Sequence, residues 1–172
     1  MKVVIQRVTS AKVTVGESLV SSIGRGLCVL VGISRDDTQK DIDYIVRKIL
    51  NVRYFEDETG KRWSRCVKDK KFEILCVSQF TLCHKLKGNK LDFHCAMAPT
   101  ESEAFYNKLL EYLKKSYEPD LIKDGKFGEY MQVDIVNDGP VTIHLESPSS
   151  QDSDSSQALD ASYKPTENSD GN

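Results

Sequence analysis

Apolar and polar positions alternate with a period near two over residues 2–34, KVVIQRVTSAKVTVGESLVSSIGRGLCVLVGIS. That spacing predicts three or four β-strands. AKVTV and SLVSSI flank Gly16 and Glu17 and suggest a hairpin. LCVLVGI is apolar on both faces, as a central strand should be. The period then changes. In TQKDIDYIVRKILNV, Ile42, Ile45, Val46, Ile49 and Leu50 recur at helical spacing, with Asp36 or Asp37 available as the cap. YFEDETGKRWS reads as a hairpin turning at Thr59-Gly60, and FEILCVSQFTL as a return to strand. CHKLKGNKLDFHCAMAP has no clean period and is expected to be a loop. TESEAFYNKLLEYLKKSYEP predicts a helix opened by a Thr100–Glu103 capping box and stopped at Pro119. Its stripe is Phe105, Leu109, Leu110 and Leu113. KFGEYMQVDIVNDGPVTIHLES predicts two strands about a tight NDGP connection. The order lacks regular βαβ alternation. The expected fold class is therefore α+β, with mostly antiparallel, barrel-like sheet and two or three helices packed outside.

The pattern fails after Ser147. From Pro148 on, the chain is rich in Ser, Asp and Gly and almost free of large apolar residues. Such a segment cannot offset its ordering entropy, so 148–172 is expected to be a disordered acidic tail behind one domain of 1–147. The full chain of 172 residues carries a net charge of −2. The tail holds five acidic residues and Lys164, contributing −4, so the body carries about +2. A mildly basic body tolerates a nucleic-acid partner without requiring one. The five cysteines are odd in number, and no apolar run is long enough to span a membrane. Reduced thiols in the cytoplasm are the expectation.

Standard catalytic constellations are mostly missing: there is no Walker loop, GxGxxG, CxxC or HExxH. Cys83-His84 with His94-Cys95 offers four zinc-type ligands within thirteen residues. Adjacent residues in a strand point to opposite faces, so buried thiols and partly exposed histidines are the simpler expectation. No metal or other cofactor is expected. A triad from Ser78 or Thr81 with His84, His94 or His144 is open spatially, but no GxSxG elbow marks a nucleophile. Basic loops at 68–71, 84–90 and 123–128 could track phosphates, with Phe93 and Phe127 near enough to stack on an unpaired base. In VSQFTLC, residues 77–83, strand alternation would put Ser78, Phe80 and Leu82 on one face and Gln79, Thr81 and Cys83 on the other. Neither a core nor a plain surface needs that mixture. In NDGP, a Pro after Gly cannot donate to a ladder, so the tip is either a plain turn or a rigid presenter of carbonyls.

SQFTL at 78–82 followed by NDGPVT at 137–142 strongly resembles the D-aminoacyl-tRNA deacylases, and QRV at 6–8 and KGNKLDFH at 87–94 agree with it. The resemblance covers roughly 1–147. Ser78, Phe80 and Asn137-Asp138 set the chain apart from a sister family with PQATL-like and TNGP-like segments. The resemblance implies a homodimer with its active site at the subunit interface, hydrolysing the ester between a D-amino acid and tRNA. It implies that Ser78 and Gln79 place the adenosine and the amino group. Phe80 and Thr81 would offer main-chain groups near the scissile carbonyl, and Phe127 and Met131 would lie near the adenine. Gly139 and Pro140, joined by a cis bond and braced by Arg7, would enter the partner's pocket and exclude an L side chain. Glycyl-tRNA, on this view, passes the filter. The alternatives are a non-catalytic nucleic-acid-binding module, where DNA is possible but not indicated, and a triad hydrolase of small esters.

Overall fold

A computed structural model of the chain describes residues 1–148; the expected tail, from 149 on, lies outside the described residues. The elements in order are β1 (Lys2–Val15), β2 (Ser18–Ile23), β3 (Gly26–Gly32), α1 (Gln39–Asn51), α2 (Val67–Lys70), β4 (Glu73–Ser78), β5 (Lys85–Lys87), β6 (Lys90–Asp92), α3 (Pro99–Ser116), β7 (Ile122–Asp124) and β8 (Gln132–Glu146). The large sheet runs β2-β1-β3-β4-β7, with β8 added along β1. Pairings of β1 with β2, β3 and β8 are antiparallel, whereas β3–β4 and β4–β7 are parallel. The sheet curls until its edges approach: Ser21 Oγ on β2 donates to Asp124 O at the end of β7, 2.6 Å away. The result is the expected α+β fold, a nearly closed barrel-like sheet with helices packed outside.

Strand alternation sorts the core into two clusters. Val3, Ile5, Leu27, Val29, Val31, Ile74 and Ile122 face α1 and α3, whose Ile42, Ile45, Ile49, Tyr106, Leu109 and Leu113 complete that cluster. Val8, Ala11, Val13, Ile23, Cys28, Leu75 and Val77 point the other way and fill the inside of the curl. β3 and β4 are thus buried on both faces, which is why LCVLVGI carries no polar alternation.

Several local expectations are corrected. The cap of α1 is Thr38, whose N–H donates to Asp41 Oδ2 at 2.7 Å. Asp37 is occupied elsewhere: it pairs with the Met1 ammonium and accepts from Ser34 N–H at 2.7 Å. α3 starts one residue before the predicted capping box, with Ala98 as cap, because Pro99 is already set for the first helical position. Its buried stripe takes Tyr106, with Phe105 only partly covered. Residues 54–64 turn between Asp57 and Lys61 but are tied by a single bridge, Phe55 to Arg65. The expected loop at 83–99 contains the small β5–β6 hairpin. The expected pair of strands around NDGP is one strand, β8: Asn137 pairs with Val8 and Thr142 with Gln6, so residues 138–141 bulge out opposite Arg7. Pro140 has no N–H for the ladder, and Gly139 takes up the bend with φ +68°. The Gly139–Pro140 bond is trans, against the expectation of cis, as are all peptide bonds among the described residues.

The first strand is locked at its start. The Met1 ammonium, buried, bonds Asp37 and lies 2.7 Å from Ser147 Oγ, while Ser147 N–H donates to Met1 O at 2.9 Å. This ties one end of the β1–β8 pair, the start of β1 and the finish of β8, to the loop before α1. Asp37→Asn removes the nearer of the two carboxylates facing the buried ammonium, leaving Asp41 Oδ1 at 4.0 Å, and is expected to cost about 3 kcal/mol, read as a lower urea midpoint with unchanged slope.

Candidate active site

β4 carries the chain to Ser78, which pairs with Val31. The next N–H, of Gln79, still donates to Val31 O at 2.7 Å. There the ladder ends. Gln79, at φ −146° and ψ 79°, turns the chain into a 3-10 turn over Phe80–Cys83. The strand expected through Leu82 therefore stops at Ser78, and the expected two-face alternation does not extend past it. Gly32 permits the turn: a Cβ there would lie 2.7 Å from Leu82 Cβ and 3.1 Å from Gln79 O. Leu82 N–H donates to Gln79 O and His84 N–H to Thr81 O. The first donors of the turn, Phe80 and Thr81 N–H, precede any carbonyl of the turn that could take them. Gln79 Nε2 donates to Thr81 Oγ1 at 2.5 Å, clamping the turn from one side. Phe80 is 56% exposed and stands edge-on to Phe93 at 5.1 Å.

No Ser or Thr hydroxyl bonds a His ring among the described residues. His84 Nδ1 lies 2.8 Å from the Thr81 carbonyl, not the hydroxyl. His94 Nδ1 faces Asp92, and His144 is exposed on β8. The four candidate zinc ligands also part company: Cys83 Sγ lies against Ser34 Oγ, His84 against Thr81 O, and His94 and Cys95 against each other. No three His, Cys, Asp or Glu groups among the described residues are placed to share a metal.

Phe127 and Met131 lie at the same end of the sheet as this turn. β7 runs parallel to β4, with Cys76 opposite Asp124, and Gly125 N–H donates to Cys76 O. The chain from Gly125 onward thus leaves from the carboxyl ends of the parallel strands, where open α/β sheets present ligands. Phe127 packs on Tyr106 at 5.8 Å, and Met131 Sδ accepts from Lys126 N–H at 3.2 Å. Between them Tyr130 stands 88% exposed, an aromatic that the sequence pattern did not single out.

The Gly139-Pro140 tip lies at the opposite end. Val8 pairs with both Asn137 and Gly26, and Gly26 pairs with Glu73 at the start of β4. Ser78 is five residues further along β4, about 17 Å at strand rise. Arg7 donates from Nε and Nη2 to Asp138 O at 3.1 and 2.9 Å, and from Nη1 to Tyr54 O at 2.8 Å. Arg25 reaches Asp138 Oδ2 at 3.2 Å and Glu56 Oε1 at 2.7 Å. The Glu56 carboxyl sits below its usual range, held there by its own backbone N–H and by Arg25. Arg25 and Glu56 carried no signal in the sequence, since Arg25 meets Glu56 across 31 positions and Asp138 across 113. The structure therefore gathers Ser78, Gln79, Phe80, Thr81, Phe127 and Met131 at one end, and Arg7, Gly139 and Pro140 at the other.

This architecture has relatives. The family model for D-Tyr-tRNA(Tyr) deacylase matches residues 4–146. The chain belongs to the D-Tyr-tRNA(Tyr) deacylase family. It is 67% identical to the human D-aminoacyl-tRNA deacylase 1 over 148 residues, spanning 86% of this chain and 71% of that one. Against the Drosophila melanogaster D-aminoacyl-tRNA deacylase it is 63% identical over 154 residues, 90% and 97% of the two chains. A solved structure described as the c-Myc DNA Unwinding Element Binding Protein is 66% identical, with a TM-score of 0.84 over 87% of this chain and all of that one. A probable eukaryotic D-amino acid tRNA deacylase, 20% identical, shares the fold with a TM-score of 0.73 over 84% and 97% of the two chains. The deacylase family is one of hydrolases acting on the ester bond of aminoacyl-tRNA, and a turn built from main-chain groups suits that chemistry.

Because Gly32 lets the turn approach β3, Gly32→Ala is expected to destabilise the protein by about 1–3 kcal/mol through overpacking. Urea unfolding reads the loss. The amide signals of residues 79–83 should shift most.

Proposed function

We propose that the protein hydrolyses the ester of D-aminoacyl-tRNA, releasing D-amino acid and tRNA, with a pocket made by two copies of the chain. One observation carries the two-copy reading. The turn at 78–83 and Asn137, at the base of the Gly139-Pro140 tip, are about 17 Å apart along the strand direction, with β1 and β3 between their strands, so a single subunit cannot close one on the other. A second copy related by a two-fold axis would present its tip to this turn and receive this tip in exchange.

In this pocket Phe80 and Thr81 N–H groups stabilise the oxyanion that forms when water attacks the ester carbonyl. Ser78 and Gln79 place the adenosine and the amino group, and Phe127 and Met131 flank the adenine. The RNA 2′-OH assists the water, so no protein base is needed. The partner's Gly139 and Pro140 carbonyls take the α-amino group and leave no room for an L side chain. Arg7, fixed on Asp138 O and Tyr54 O, keeps the tip rigid. Glycine lacks the excluded group, so glycyl-tRNA, including glycine mischarged on tRNA(Ala), is also cleaved. Cytoplasmic translation quality control is the setting that suits this chemistry; no helix among the described residues is long and apolar enough to cross a membrane.

A second reading is binding of nucleic acid without turnover. The 66%-identical structure described as a DNA-element-binding protein favours it. Single-turnover assays on D-Tyr-, L-Tyr- and glycyl-tRNA separate the two. The expected result is rapid cleavage of the first and third and none of the second. Binding of uncharged RNA or DNA with all three esters intact would leave only the second reading.

Variants test the cross-subunit pocket. Gln79→Ala removes a side chain that places the substrate and Pro140→Ala disturbs the tip, and each alone is expected to lower turnover by at least tenfold. Co-refolding them should restore about a quarter of the wild-type rate, from one intact site in half of the dimers. No recovery would mean that turn and tip serve the same subunit. Thr81→Ala is expected to keep much of its rate, since the hydroxyl is not the nucleophile.

A further inference from the structure

Just outside that turn, three neighbouring side chains form a relay the proposed hydrolysis does not use. Asp92 Oδ1 lies 2.7 Å from His94 Nδ1, and His94 Nε2 lies 3.3 Å from Cys95 Sγ. This is the arrangement of an activated thiol: nucleophile, base, and an acid that orients the base. Asp92 is well below the usual carboxylate range, held first by the Lys87 ammonium and then by His94 N–H. It is therefore an anion facing the imidazole, which favours Nδ1–H and leaves Nε2 to take the thiol proton. Cys95 is partly exposed, and His94 is 45% exposed. The other cysteines differ. Cys28, Cys66, Cys76 and Cys83 are buried, and burial pushes the Cys28 thiol up to about 11.

The loop is not free to drift. Arg35 N–H donates to Cys95 O at 3.0 Å, Met97 N–H donates to Ile33 O, and Ser34 bridges Ala96. Those residues directly follow Gly32, on which the 78–83 turn packs. On the other side Phe93 touches Phe80 at 5.1 Å.

We propose that Cys95, with His94 and Asp92, is a reactive thiol that peroxides and other soft electrophiles modify, and that its modification disturbs the neighbouring Phe80 turn. Cys95 passes its proton to His94 Nε2. The thiolate attacks one oxygen of hydrogen peroxide, an S–O bond forms and the O–O bond breaks. The sulfur is oxidised to sulfenic acid and the peroxide reduced. The departing hydroxide takes the proton from His94 and leaves as water. The added oxygen alters the packing two residues from Phe93, which touches Phe80. The thiol's reactivity goes beyond the hydrolase reading; the effect on turnover rests on it.

Full-length protein is treated with iodoacetamide at neutral pH and the labelled cysteines are followed by mass spectrometry. Cys95 is expected to react at least about tenfold faster than a free cysteine thiol, with the buried four unlabelled. His94→Asn keeps a donor for Asp92 but removes Nε2, and should return Cys95 to the free-thiol rate. A free-thiol rate in wild type, or no change in His94→Asn, overturns the relay. Hydrogen peroxide should then place a dimedone-trappable sulfenic acid on Cys95 and slow D-aminoacyl-tRNA cleavage several-fold, with Cys95→Ser resistant. Undiminished cleavage at full Cys95 oxidation overturns the coupling to the turn. If untreated protein cleaves no ester, the hydrolase reading fails, while the alkylation rates still decide the relay.

Discussion

β1 is hydrogen-bonded along both edges for nearly all of its fourteen residues, to β3 and then β2 on one side and to β8 on the other. Its first half faces the helices and its second half turns inward with the curl of the sheet. The long antiparallel run with β8 fixes that course, so the barrel's shape is set by one pairing. Where the pairing breaks, opposite Arg7, the chain gains its Gly-Pro tip. An unpaired stretch in so long a ladder would normally fray. Here the Arg7 guanidinium replaces the lost ladder bonds, taking Asp138 O with two donors. The tip is the interruption of the same interaction that builds the fold.

The parallel half of the sheet has the opposite role. β3, β4 and β7 end together, and their carboxyl ends carry the 78–83 turn and the 125–131 segment. β3 and β4, buried on both faces, are poor places for chemistry along their length. Only where they stop do main-chain N–H groups become available. Gly32 brings the turn close enough to pack on β3. Polar residues in SQFTL then serve the turn: Gln79 clamps Thr81, and Phe80 faces outward.

Much of this was legible in the sequence where periodicity decided it. The helical stripe of Ile42, Ile45, Val46, Ile49 and Leu50, and the two-sided burial of LCVLVGI, follow from spacing alone. What was not legible depended on partners distant in the chain. Asp37 cannot cap α1 because the Met1 ammonium claims it, a contact spanning thirty-six positions. The strand through SQFTL stops because of the glycine at 32, which the local pattern does not reveal. NDGP looked like a hairpin because Asp-Gly is a strong turn signal. The continuous ladder on either side, with Asn137 and Thr142 on the same partner strand, made it a bulge instead. The Asp92-His94-Cys95 relay was missed for another reason. Strand geometry forbids neighbours from meeting, but this loop lies beyond β6 and is not bound by that geometry.

The separation of turn and tip bears on how chirality is read. On the proposed arrangement the turn supplies chemistry that treats any aminoacyl ester alike. Discrimination comes from the other subunit's backbone, which meets the groups every amino acid shares: the amino nitrogen and the Cα. Such a selector is indifferent to the D side chain, which points away from it, and so covers many substrates with one site. Its weakness is also built in. A pocket that works by exclusion rejects what is too large and has no means of rejecting what is smaller. Glycine falls on the permissive side for the same physical reason that L residues fall on the forbidden one.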